Sequence, residues 1–388
     1  MTVQSPVTVA EPPAVPDRPQ VTELSLSAFA GHRGTVLPLG PLTLVTGPSG
    51  SGKSSALRAY EALARLSAGA ELPDVFPDPS ACVPERARAD HQRRRGFRIG
   101  CTVDGPAGPV RLDLAVQAEP ELRIVGERLA CGPLVLLETA LRDPGRRVVQ
   151  AAWHTAGTAP VTRAPMPDDR LGTALVPLRV AGKTDGQRLV LAAAEQVVVA
   201  LRSAFACDPR PGRMRAPVPA GRIGPGRLLG GCDNLAEVLW RTRAECAGRH
   251  ALLVSALREG CAGPVVDVLA QEARDGTLYA CVDRGGGMRT PLGRLGDGEL
   301  RYLALALVLL TGPGVLAVDP VAEVPEAYQT LTVLADDLDR RLDARQARAL
   351  GELAVRMCAR GHIRLVGTVR DASWAADAAG VSVVDLEP

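Results

Sequence analysis

The residues best equipped for chemistry are Gly47, Pro48, Ser49, Gly50, Ser51, Gly52, Lys53 and Ser54. Together they make a complete G-x-x-x-x-G-K-[ST] loop, the Walker A pattern. Its chemistry is the cradling of phosphate. Glycines admit backbone angles closed to other residues and let the main chain approach a ligand closely. Successive N–H groups then converge as an anion-binding nest. The start of a following helix adds unpaired donors and partial positive charge. In such a loop Lys53 would reach the β- and γ-phosphates, and the Ser54 hydroxyl would ligate Mg²⁺.

A loop of this kind works only between a strand and a helix, and the sequence supplies both. Leu42-Thr43-Leu44-Val45-Thr46 reads as a short apolar strand. Ser55 to Ala68 reads as a helix rich in Ala and Leu, with no internal Gly or Pro. Upstream, Val21, Leu24, Leu26 and Phe29 alternate with polar residues, which predicts a strand over 21–29. Gly34 to Leu39 reads as another, so a sheet edge precedes the loop. Residues 1–20 carry Pro6, Pro12, Pro13, Pro16 and Pro19 among small and polar residues, and read as a disordered lead-in.

Composition narrows the class. The chain is 46% hydrophobic but only 3% aromatic, so its core must be built from Leu, Val and Ala. A net charge of +2 does not mark the whole molecule as a polyanion binder. No apolar run is long enough to span a bilayer, and the N-terminus lacks the basic-then-apolar plan of a secretory signal. The nine cysteines are scattered without a C-x-x-C pair. They read as buried thiols of a cytoplasmic protein rather than zinc ligands.

The rest of the chain alternates in character. Ala70 to Arg95 is proline-rich and loop-like, and ends in a basic cluster: Arg86, Arg88, His91, Arg93, Arg94, Arg95 and Arg98. A nucleic-acid backbone is the partner such a cluster would suit. No aromatic residues are interleaved for base stacking, which favours a solvated loop instead. Gly96 to Ala130 alternates apolar and polar residues between turn signals and reads as antiparallel strands, which Leu134 to Ala152 would continue. Gln187 to Ala206 is apolar at helical spacing. Asp208 to Gly231 is rich in Pro, Gly and Arg and reads as a loop. Asp233-Asn234 is placed to cap a helix through Glu245, and another helix follows from about Arg249 to Arg258. Leu278 to Arg284 reads as a strand.

The opening, Val21 to Phe29 and then Pro38-Leu39-Gly40-Pro41-Leu42-Thr43-Leu44-Val45-Thr46-Gly47, resembles the SMC/RecF/OLD-like branch of the ABC-type P-loop ATPases. Leu295-Gly296-Asp297-Gly298-Glu299-Leu300-Arg301 is similar to the L-S-x-G-E signature of that group, with Gly296 where a serine is usual. Cys232 to Leu239 is similar to the run that opens its helical lid. The resemblance implies that Gly296 and Gly298 face the γ-phosphate held by a second protomer, and so a homodimer in the ATP-bound state.

It also implies a Mg²⁺-linked carboxylate at the end of a buried strand. Two stretches compete: Leu331 to Asp337, ending in Asp336 and Asp337, and Val315 to Asp319, followed by Pro320. The first is preferred, with Asp336 on the metal and Asp337 orienting the attacking water; Asp319 is the rival. Arg370 stands where the group has a γ-phosphate-contacting histidine. An arginine there can stabilise phosphate charge but cannot shuttle protons.

The expected fold is therefore α/β: a P-loop NTPase with a mostly parallel sheet, an antiparallel side layer and an inserted helical lid region. The expected divisions are 1–20 disordered, 21–165 the first part of the ATPase domain, 166–275 the helical insert, and 276–388 its closing part. ATP and Mg²⁺ are the expected cofactors. The expected function is a Mg²⁺-dependent ATPase switching by dimerisation. The alternative is an ATP-binding regulatory or scaffold protein with little or no hydrolysis.

Overall fold

A computed structural model describes residues 18–156, 160–219, 226–312, 314–318, 324–325, 328–375 and 378–387. The chain begins with a hairpin, β1 (Gln20–Phe29) and β2 (His32–Pro38). Strand β3 (Leu42–Thr46) then feeds the phosphate loop and helix α1 (Lys53–Ser67), followed by a single turn, α2 (Leu72–Val75). Six strands come next: β4 (Arg95–Asp104), β5 (Val110–Glu119), β6 (Arg123–Cys131), β7 (Leu134–Ala140), β8 (Val148–His154) and β9 (Val161–Pro167). They extend the hairpin into an eight-stranded antiparallel sheet of order β2-β1-β4-β5-β6-β7-β8-β9.

Period-two patterning gives this sheet one apolar face. Phe97, Ile99, Cys101 and Val103 of β4 and Val110, Leu112, Leu114 and Val116 of β5 are all buried, while Arg98 and Arg111 between them are exposed. Against the apolar face pack α1 and the long helix α4 (Asp185–Arg202), which follows the short α3 (Gly172–Leu175). Thr184 caps α4, its hydroxyl accepting the Gln187 N–H at 3.2 Å.

The second half supplies β10 (Ala204–Cys207), α5 (Pro211–Met214), β11 (Val218–Pro219), α6 (Leu235–Glu245) and α7 (Ala247–Gly260). The small antiparallel strands β12 (Asp267–Glu272), β13 (Thr277–Gly285) and β14 (Met288–Pro291) lead into α8 (Asp297–Leu309). The chain closes with β15 (Leu331–Ala335), α9 (Ala344–Cys358), β16 (Ile363–Thr368) and β17 (Val381–Asp385).

Five strands form a wholly parallel sheet of order β10-β15-β16-β3-β17. Buried on both sides, its strands read as continuous apolar runs. Val45, Leu334 and Val366 face the core shared with α1 and the antiparallel sheet. Leu44, Val333 and Leu365 face the core shared with α8 and α9. The molecule is thus layered: antiparallel sheet, α1 with α4, parallel sheet, then the later helices. Among the described residues no helix is long and apolar enough to cross a membrane.

Three local expectations are corrected. The helix expected over 187–206 ends at Arg202, and Ala204–Cys207 pairs in parallel with Thr332 to Ala335 instead. Sheet pairing there overrides helical periodicity. Asn234 stands at the start of α6, but its side chain does not cap the helix; its Oδ1 accepts the Leu229 N–H at 3.0 Å, pinning the preceding loop. The stretch Val315 to Val318 makes a single bridge, Leu228 with Leu316, rather than a sheet strand, and Asp319 lies outside the described residues.

Candidate functional site

The phosphate loop sits at the carboxyl end of β3, where ligands of open parallel sheets bind. Its glycines take the left-handed angles that the motif foretells: Gly47 at φ 137°, Gly50 at 86° and Gly52 at 96°. A side chain at Gly47 would run into the carbonyl of Leu386, because the edge strand β17 ends beside the loop. Lys53 Nζ donates to the carbonyls of Gly47 at 2.6 Å and Pro48 at 2.9 Å, so its ammonium lies across the mouth of the turn. Helix α1 starts with the Ala56 N–H donating to Gly52 O at 3.0 Å, which leaves the preceding amides without helical acceptors. Inside the loop the Ser51 hydroxyl is buried and has no partner among the described residues. A turn with an orphaned hydroxyl, unpaired amides and an ammonium fits an anion.

Strand order brings the remaining groups to the same place. Strand β16 lies between β3 and β15, so Thr368, Asp336 and the start of α1 converge at adjacent carboxyl ends. Ser54 Oγ donates to Asp336 Oδ1 at 3.0 Å, and Thr368 Oγ1 donates to the same oxygen at 2.6 Å. A hydroxyl and a carboxylate in contact at a phosphate loop are the oxygen donors that suit Mg²⁺, which keeps most of its shell as water and phosphate. Among the described residues no cluster of three or more His, Cys, Asp or Glu could hold a metal by itself.

Asp337 adopts φ 49°, a left-handed backbone costing an L-residue about 1–2 kcal/mol. Two side chains hold it there. Its N–H donates to Thr368 Oγ1 at 2.7 Å, and its carbonyl accepts Arg301 Nη2 at 2.9 Å. Arg301 rises from α8 and is 2% exposed. Its Nη1 donates to Pro209 O at 2.9 Å and approaches Asp208 Oδ1 at 3.5 Å. One guanidinium therefore ties the loop after β10 to the loop after β15. Between these loops and α1 lies a cleft of about 370 Å³, lined by Ser54, Arg58, Asp208, Arg210, Asp336 and Asp337 among others. Neither Asp208 nor Arg301 was singled out as a site residue from sequence. The signal for Asp208 was its place at the end of a strand, which the helical reading of 187–206 concealed.

The other predicted residues lie apart from this cluster. Gly296 precedes α8 with open space where a side chain would project. Gly298 is packed tightly, since a Cβ there would strike the Arg341 carbonyl. Asp297 between them is held by Arg215 at 2.6 Å and by Arg341. No described contact joins Gly296 or Gly298 to the phosphate loop of the same chain. Arg370 lies on an exposed turn after β16; its backbone N–H donates to Asp339 Oδ2 at 2.9 Å. Its guanidinium has no hydrogen bond or ion pair among the described residues. In the basic cluster, Arg94 and Arg95 are engaged by Asp90 and Glu119, and Arg94 draws the Asp90 carboxyl down to about 2. Cys207, which lines the cleft, is buried against Cys232. The Cys207 thiol and burial push the Cys232 thiol up, which keeps it protonated and unreactive.

No protein-family model matches the sequence, and no curated protein matches it. Solved structures do match over nearly the whole chain. An SMC head bound to the C-terminal winged-helix domain of ScpA is 12% identical, covers 92% of both chains and superposes with a TM-score of 0.50. The SMC head domain from Thermotoga maritima is 11% identical over 93% of both chains, with a TM-score of 0.43. An Smc head with an extended coiled coil, bound to the C-terminal domain of ScpA derived from Pyrococcus furiosus, is 10% identical and has a TM-score of 0.48. It covers 92% of this chain and 91% of that one. The fold of this protein is that of an SMC head domain.

Proposed function

We propose that this protein binds ATP with Mg²⁺ at the loop 47–55 and hydrolyses it in a dimer that forms around the nucleotide. The single observation that carries this is the contact of Ser54 with Asp336 at the mouth of a phosphate loop. It joins two motifs 282 positions apart in sequence. The bound Mg²⁺ would supply charge to the β- and γ-phosphates and orient them.

The chain's own residues supply the rest. The amides of Gly50 to Ser54 hold the phosphates, and the Lys53 ammonium exchanges its carbonyl partners for phosphate oxygens. Ser54 and Asp336 hold the metal, and Thr368 keeps the Asp336 carboxylate aimed. Asp337, fixed in its strained backbone by Thr368 and Arg301, orients the attacking water. Gly296 and Gly298 of one protomer offer the start of α8 to the γ-phosphate of the other, and Arg370 adds positive charge. The cytoplasm, with its ATP, is the compartment that suits this chemistry.

A second reading, binding with little or no hydrolysis, is favoured by a specific feature. Gly296 lacks a hydroxyl, Asp337 stands where a glutamate is usual and Arg370 is not a histidine, so three groups that assist hydrolysis in the resembled ATPases are replaced. Phosphate release and light scattering with Mg²⁺-ATP separate the readings. The first expects ATP-dependent dimers and steady phosphate release, both lost in Lys53→Ala. The second expects ATP binding with release no higher than in Lys53→Ala. A protein that stays monomeric with bound ATP overturns the dimer.

A further inference from the structure

His32 is a buried imidazole that none of the motifs accounts for. It opens β2 directly after the hairpin turn, at the edge of the antiparallel sheet, yet is only 4% exposed. What covers it is the phosphate loop. His32 Nε2 lies 3.0 Å from the Gly52 carbonyl, and His32 Nδ1 lies 3.2 Å from Thr35 Oγ1. The imidazole presses so close that a Cβ on Gly52 would sit 2.5 Å from Nε2.

The chemistry of the partners fixes the tautomer. A backbone carbonyl can only accept, so Nε2 carries the proton. In the neutral ring Nδ1 then accepts the Thr35 hydroxyl proton. The Gly52 carbonyl receives two donors, His32 Nε2–H and the Ala56 N–H, both at 3.0 Å. Its two lone pairs are thereby used.

That peptide is the pivot of the loop. Gly52 stands in the left-handed region at φ 96°, where glycine has the least resistance to turning over. The Gly52–Lys53 peptide is planar and trans, so its N–H points opposite to its C=O. A carbonyl tethered to His32 on one side sends the Lys53 N–H to the other, where the anion would lie. We propose that His32 is a positioning residue for triphosphate: it locks the Gly52–Lys53 peptide in the phosphate-receiving orientation. The edge strand β2 thereby becomes part of the nucleotide site, although it contributes no atom to the ligand.

This rests on the loop binding a nucleotide, and the test keeps the two claims apart. Glutamine places an amide N–H₂ near the position of Nε2, whereas asparagine places one near Nδ1. His32→Ala, His32→Gln and His32→Asn are compared for Mg²⁺-ATP affinity, apo melting temperature and, without nucleotide, exchange of the Ala56 amide that donates to the Gly52 carbonyl. The expected result is affinity about tenfold weaker in His32→Ala and His32→Asn and near the unmodified value in His32→Gln. Exchange at Ala56 should be faster in the first two only. Equal affinity and equal exchange in all forms would overturn the role of His32. So would parallel losses in Gln and Asn, which would indicate a merely space-filling ring. If His32→Ala does not fold, the Gln and Asn pair carries the comparison. If the unmodified protein binds no ATP, the nucleotide assignment fails, while the exchange pattern still decides whether His32 orders the loop.

Discussion

The two large sheets of this protein bury polar side chains in opposite ways. In the antiparallel layer the buried charged and amide groups are consumed by their neighbours. Arg123 and Asp168, 3% and 1% exposed, are paired at 2.6 Å, and Arg123 also donates to Pro144 O at 2.8 Å and to Arg146 O. Glu127 accepts the N–H groups of Gly172 and Thr173, both at 2.6 Å, and the Thr173 hydroxyl. Gln196 donates to Val103 O and Gly108 O and accepts the Ala107 N–H. Little of their charge is left to offer a ligand, although the Thr139 hydroxyl and the Trp153 indole N–H are buried in this sheet without partners among the described residues.

At the carboxyl ends of the parallel sheet the groups are half-spent. Asp336 accepts two hydroxyls on one oxygen, its other oxygen having no partner among the described contacts. The Ser51 hydroxyl has no partner among the described residues. Lys53 rests on two carbonyls that are weaker partners than phosphate. The contrast teaches where to look: a satisfied polar network holds shape, and spare valence at an open strand end is available for chemistry.

Substitutions sharpen this contrast by separating stability from turnover. The largest effect is expected for Arg123→Ala, which leaves the buried Asp168 carboxylate with only the half-exposed Arg147 at 3.4 Å. It should cost about 3–5 kcal/mol of unfolding free energy in denaturant titration, with Mg²⁺-ATP affinity of the surviving folded fraction unchanged. Asp336→Asn should do the reverse. Phosphate release should fall by about a hundredfold, the scale of losing one group that stabilises transition-state charge, while the melting temperature holds. A stable Arg123→Ala, or an Asp336→Asn that unfolds, would break the contrast. Glu127→Gln should be milder. Its amide N–H₂ would meet at least one of the donors now aimed at the carboxylate, at a cost of about 1–3 kcal/mol in stability and none in phosphate release.

The smallest effect concerns pH at the opposite, amino end of the parallel sheet. His362, just before β16, has its pKa lowered by burial and then by Arg18 and Arg360. A depressed value means that the unfolded chain binds the proton more readily. The contribution is present above the unfolded value of about 6.5 and is lost as pH falls through the lower folded one. In His362→Gln, stability should vary less over that window, with ATP affinity untouched. An unchanged pH profile would show that His362 is not responsible.

How much of this was legible in the sequence follows from the range of each interaction. The phosphate loop is a local motif, and its strand, glycines and helix are all where the spacing put them. The antiparallel layer announced itself by period-two alternation. Strand β10 did not. Its residues continue the apolar spacing of α4, and only pairing with β15, more than a hundred residues away, makes them a strand. Asp208 and Arg301 were missed for the same reason, because their meaning lies in contacts between distant segments. His32 was hidden too. An isolated histidine after a strand carries no signal until the loop folds over it.

The central claim is that main-chain amides and one ammonium near residue 50 grip a nucleoside triphosphate. Calorimetric titration with ATP in the presence of Mg²⁺ tests it most directly. Saturable binding is expected in the unmodified protein. In Lys53→Ala it should be about a hundredfold weaker, since charge-assisted bonds worth about 1.5–3 kcal/mol each are removed. No measurable heat or affinity for any purine triphosphate, or equal binding by both proteins, would contradict it.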